Sequence, residues 1–160
     1  MVHRPHLFRL SLTAGWLTMA LLAAPHAHAQ EVAPGFAGQV APTLPSTEQL
    51  VSDIQDALPG DNLAGVAAQI DASVSAGESL VRQLQTALSS APDDMARSRL
   101  EGVLTHAQAA VDALRLAESG TSLDSARGRL DQARGEAQEG LDELRPFVLS
   151  LVSSGAITGK

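Results

Sequence analysis

The sequence predicts an all-α protein: an elongated antiparallel bundle of three long helices plus one or two short ones. Three observations point there. Apolar residues recur in alternating steps of three and four over three stretches of about 25 residues, the spacing of one helix face. Breaks rich in Pro, Gly, Ser and Asp separate these stretches and are short, so neighbouring helices run antiparallel. Residues suited to capping stand at the start of each stretch.

Residues 1–29 stand apart from the bundle and read as a cleavable signal peptide. Arg4 and Arg9 make a positive start, an apolar run follows from Leu10 to Ala24, and Ala27-His28-Ala29 is an A-x-A site. Cleavage is expected between Ala29 and Gln30. An uncleaved anchor is the alternative, but the run of about 15 residues is short of the ~20 that span a bilayer. Cysteine is absent, which excludes lipoprotein processing and a disulfide framework. The expected location is periplasmic or extracellular. Arginine in place of lysine, with abundant Ala and Gly, fits a GC-rich bacterial source.

Residues 30–45 contain three prolines and read as a flexible Pro/Gly tether. The competing reading is a short docking segment, because Val32, Phe36, Val40 and Leu44 recur every four residues. The bundle domain is expected over 46–152. Ser46 and Gln49 have the spacing of a capping box for a first short helix, with Leu50, Val51, Ile54, Ala57 and Leu58 as its apolar face. Pro59-Gly60 ends it.

Asp61 is the expected cap of a second helix running to about Ser89. Its stripe is Leu63, Val66, Ile70, Ser73, Gly77, Leu80, Leu84 and Ala87. A third helix follows Ser90-Ala91, with Pro92 in the first helical position and Asp93-Asp94 favouring the positive helix start. Its stripe is Ala96, Leu100, Val103, Ala107, Ala110, Leu114 and Ala117. Gly120 is the expected left-handed stop. Thr121, with Asp124 three residues on, opens a fourth helix with Leu123, Ala126, Leu130, Ala133, Ala137, Gly140 and Leu144 inward. Pro146 predicts a kink or stop, then a short apolar helix from Phe147 to about Val152. Residues 153–160 read as a disordered tail.

Many stripe positions are Ala or Gly, which allow close approach but bury about a third of the area of leucine. Gly65, Gly77, Gly102, Gly128, Gly135 and Gly140 fall inside helices, each at roughly 0.8–1 kcal/mol against alanine. Gly128 and Gly135 fall on the far face of the fourth helix, which is then either soft or closely met by a partner. A weak match at an offset of 30 relates Arg99-Leu100-Glu101 to Arg129-Leu130-Asp131. Heptad-constrained, Ala-rich helices often match this well by chance, and duplication of a helical unit is the alternative.

Removal of the leader changes the chemistry. The chain carries 11 basic and 18 acidic residues, a charge of −7. Two arginines, four of the five histidines and the only tryptophan lie in the leader. The mature 131 residues would carry a charge of −9, with His106 as the only histidine and Phe36 and Phe147 as the only aromatics. An acidic surface without stacking groups excludes nucleic acid and argues against anionic membranes. Carbohydrate and flat-cofactor sites, which rely on Trp or Tyr, are equally disfavoured.

No catalytic residue is assigned. His106 lacks a second His or a Cys for a metal site, and Glu101 and Asp112 stand too far around or along the helix to join it. It reads as a partly buried, hydrogen-bonded histidine. Glu136, Glu139, Asp142 and Glu143 form an acidic cluster, read as a solvated face balanced by Arg134 and Arg145. The alternative is weak binding of a divalent cation or a basic partner. No cofactor is expected. The resulting expectation is a non-catalytic envelope protein that binds another envelope protein or itself. A carrier or chaperone-like holder of apolar ligand or peptide is the alternative, and an enzyme the least supported reading.

Overall fold

The apolar stripes become the buried faces of a helical bundle. The computed structural model describes residues 34–156. Its helices are α1 (Pro34–Val40), α2 (Thr43–Ala57), α3 (Leu63–Ser89), α4 (Asp94–Glu118) and α5 (Leu123–Ser153). No strand occurs among the described residues, so the fold is all-α as expected. The leader, the Ala29–Gln30 cleavage position, Val32 and residues 157–160 lie outside the described residues.

On α3, every stripe residue from Val66 to Ala87 is buried, and Leu63 alone is exposed. On α4 the whole stripe from Ala96 to Ala117 is buried, joined by Val111 and Ala113. On α5 the stripe is buried from Ala126 to Leu144. Neighbours are antiparallel: Glu78 of α3 meets Arg115 of α4, Gly102 of α4 faces Glu143 of α5, and Glu48 of α2 meets Arg145 of α5. α2 borders α3 and α5, and α4 borders the same two, so four columns close around one core. At 1.5 Å per residue the columns from α3 to α5 are about 38–46 Å long.

The first column differs from the sequence expectation. Residues 34–45 are not an extended tether: α1 and the start of α2 are helical and packed. Phe36, Ala37 and Val40 are buried, and Leu44 is packed against the core. The Phe36 ring lies against Phe147 of α5 with centroids 6.3 Å apart, tilted by 57°, within the range of favourable aromatic pairs. The docking alternative, with its four-residue period, describes this segment better. The prolines permit it because each sits where a missing N–H costs little. Pro34 opens α1, Pro42 occupies the break and Pro45 falls in the first turn of α2. Two buried threonines repair the junction: the hydroxyl of Thr43 donates to the Val40 carbonyl (2.6 Å), and that of Thr47 to the Thr43 carbonyl (2.7 Å).

Other helix ends shift by a few residues. Ser46 is not a cap but lies inside α2, donating to the Pro42 carbonyl and to Gln83 Oε1 of α3. The caps are Asn62, Asp93 and Ser122, whose side chains accept from the backbone N–H of Gly65, Ala96 and Ser125. Each has the extended backbone that aims its side chain at the first turn. Pro92 therefore precedes the cap instead of opening the helix. Gly120 does not take the left-handed conformation. The only positive-φ glycine among the described residues is Gly155 (φ 76°). There the N–H groups of Gly155 and Ala156 bond the carbonyls of Val152 and Leu151, a Schellman closure of α5. The C-terminal segment is thus ordered through Ala156, three residues beyond the tail boundary at 153.

Pro146 neither stops nor divides the fourth long helix. α5 runs 31 residues through it. A mid-helix proline costs about 3 kcal/mol or more. Leu144 before it and Phe147, Val148 and Leu151 after it are buried in the core. Burying side chains of this size contributes about 1.5–3 kcal/mol each, which outweighs the proline penalty.

Two outcomes follow. Phe36→Ala should lower unfolding free energy by about 3–5 kcal/mol in urea denaturation; a change within 0.5 kcal/mol would return residues 34–40 to a tether. A Cβ at Gly128 or Gly135 would meet nothing within 4 Å. Gly128→Ala and Gly135→Ala should therefore each raise stability by roughly 0.5–1 kcal/mol, read from the same denaturation curves.

Candidate functional site

The seam between α4 and α5 brings together residues that the sequence kept apart. Ala107 of α4 and Ala137 and Gly140 of α5 are small and buried, so the helices approach closely. A Cβ at Gly140 would stand 3.2 Å from the His106 Cβ and 3.7 Å from the Val103 carbonyl oxygen. A side chain at 140 would need the seam to give by a few tenths of an ångström. At Gly102 a Cβ would stand 2.6 Å from Glu143 Oε2, the end of a half-exposed side chain that could swing aside. Two of the interior glycines thus flank the one histidine of the bundle.

His106 stands on the edge of this seam, with 24% of its side chain exposed. Glu136, Glu139 and Glu143 occupy one face of α5, at spacings of three and four, and all turn toward it. Nδ1 lies 3.0 Å from Glu136 Oε2, at hydrogen-bond distance, and 3.5 Å from Glu139 Oε2. Nε2 lies 3.8 Å from Glu143 Oε1. His106 is therefore partly buried and hydrogen-bonded, as the sequence suggested. The acidic cluster and the histidine, read separately, are one site. Glu101 and Asp112 stand outside it, and Asp112 pairs instead with Arg115 at 3.6 Å.

The charge balance also departs from expectation. Arg134 and Arg145 do not balance the glutamates. Arg134 pairs with Asp131 at 3.1 Å, and Arg145 reaches across to Glu48 of α2 at 3.0 Å. Among the described residues no arginine pairs with Glu136, Glu139 or Glu143. The α5 register decides this. Arg145 lies on the α2 side of the helix, while Glu136, Glu139 and Glu143 lie on the α4 side. An i, i+3 rule read along one helix gives no account of which neighbour each face meets. Asp142 likewise leaves the cluster, accepting a hydrogen bond from the Gln138 amide at 2.9 Å.

A second surface feature lies between α3 and α4. An open groove of about 490 Å³ is lined by Glu78, Val81, Arg82, Gln108, Asp112 and Arg115 among others. Its charges satisfy one another: Arg115 bonds Glu78 at 2.8 Å and lies 3.6 Å from Asp112. The gap between Leu50, Leu80, Val103 and Gly140 has no room for a water molecule. No helix among the described residues is long and apolar enough to cross a membrane.

This architecture defines the class of protein as an all-α four-column bundle with a histidine–carboxylate cluster on one seam. No family model, curated protein or solved structure matches the chain.

Gly140→Val should destabilise the bundle by about 1–3 kcal/mol, because the added methyls meet His106 and the α4 backbone at the closest point of the seam. Thermal unfolding followed by circular dichroism checks it, and an unchanged midpoint would mean the seam tolerates separation.

Proposed function

We propose that the chain is exported and works as a non-catalytic binding or scaffolding module of the cell envelope, through contacts on its outer faces. The leader-like residues 1–29 support export. The packing of the apolar stripes against one another is the observation that carries the rest. With the core closed by Ala and Gly seams, recognition falls to the surface. Large apolar side chains remain there: Met95 is 69% exposed and Leu149 58%. Met95 opens α4 and Leu149 nears the close of α5, so antiparallel packing sets both at the same end of the bundle. Val152 is exposed at that end as well, and Leu116 near the other end of α4; apolar side chains left on the outside are available to a protein partner.

The carrier reading requires the bundle to open around its cargo. It draws on the glycines inside the long helices and on the apolar end of α5, where Phe147, Val148 and Leu151 are core residues while Leu149 and Val152 are exposed.

A photo-reactive amino acid at Met95 or Leu149, in the chain produced with its leader in a Gram-negative host, tests the proposal. The expected result is a discrete cross-linked species in the envelope fraction, formed by a chain whose mass begins at Gln30. No adduct from either position, together with a cytoplasmic chain of full length, overturns it.

A further inference from the structure

We propose that His106, Glu136 and Glu139 form a binding site for one divalent first-row transition-metal ion, of which zinc is the representative. One atom from each residue lies within 4.8 Å of the others. A tetrahedral zinc with N and O ligands at about 2.0–2.1 Å requires ligand atoms about 3.3 Å apart. The imidazole Nδ1 stands 3.0 Å from one carboxylate oxygen and 3.5 Å from the other, bracketing that edge. An ion can therefore enter with shifts of a few tenths of an ångström at these two edges.

The donor arithmetic points the same way. A neutral imidazole has one N–H. At Nδ1 it serves Glu136, and Glu139 then faces the same nitrogen without a donor of its own. A hydrogen bond accounts for one of the two carboxylates, whereas a cation accounts for both. The arginines that could otherwise supply positive charge are held by Asp131 and Glu48. The surplus is a local anionic field around one nitrogen ligand.

The mixture of ligands selects the ion. Imidazole suits zinc, copper, iron and nickel, while calcium and magnesium prefer oxygen alone. Glu143 lies 3.8 Å from Nε2, outside hydrogen-bond distance, and a small shift of its half-exposed side chain would bring it to the far side of the ring, the usual place of a carboxylate behind a metal-bound histidine. Buried Ala107 and Gly140 set the two helices close together beside His106. Glu139 is 68% exposed, which leaves an entry path and an open coordination position toward solvent.

The chain processed after export tests this directly. His106 is then the only imidazole, so its ¹H–¹³C signals are unambiguous in an NMR titration. Zinc chloride should shift them saturably at one ion per chain, with calorimetry giving the same stoichiometry, and magnesium chloride should leave them in place. Glu139→Gln, an exposed and conservative change, should weaken zinc binding about tenfold or more without altering helicity. His106→Ala should abolish the site while zinc-independent circular dichroism remains that of the parent. Absence of a zinc-dependent shift overturns the proposal. So does zinc binding of undiminished affinity in both variants, or an equal response to magnesium.

Discussion

The close approach of α4 and α5 is the constraint on which the rest of the bundle depends. It is made by small residues, with Ala107, Ala137 and Gly140 where larger side chains would hold the helices apart. Leu100, Leu114, Leu130 and Leu144 then alternate with these small positions and fill the space between columns. Small seams bury modest area per residue, so stability is spread along the full length of long helices. At the gap between Leu50, Leu80, Val103 and Gly140 the same closeness leaves no room for a water molecule.

The bundle would lack part of one wall without α1. α2 is 15 residues and covers about half the length of α3. α1 extends that column toward the end of α3, where Ser90 donates to Gln39. Phe36 covers Phe147, the residue immediately beyond Pro146. The aromatic pair thus ties the two proline-containing parts of the chain to each other. Each proline departure is tolerated because the packing on the other side supplies the compensating burial.

The electrostatic pattern follows from the same geometry. Arginines on the outer faces are drawn to neighbouring columns, as Arg145 is to Glu48 and Arg115 to Glu78. Exposed pairs of this kind contribute little to stability, about 0–1 kcal/mol, but they remove the cations that would otherwise balance α5. The glutamates at 136, 139 and 143 are left facing one imidazole. Gly102 and Gly140 lie beside that cluster, where the two helices run close together.

Much of the fold was legible in the residues themselves. Heptad-like spacing identified α3, α4 and α5 and nearly every buried position on them, because a helix face is a local property with a fixed period. The proline-rich start misled for an equally local reason: prolines disfavour helix in isolation, and only contact with Phe147 and α3 stabilises α1. Of the kink or stop that Pro146 predicts, the stop does not occur, because the helix continues through it on the burial of Phe147, Val148 and Leu151. His106 and the glutamates were each noticed in the sequence, but as separate features thirty or more residues apart. A repeating spacing tells which way a side chain points from its own helix. Which side chain it meets is set by the register of two helices against each other, and that register comes from the packing of Ala107, Ala137 and Gly140. The sequence by itself determined a bundle of small-seamed helices, and the tertiary structure alone decided that His106, the one histidine among the described residues, sits among three carboxylates.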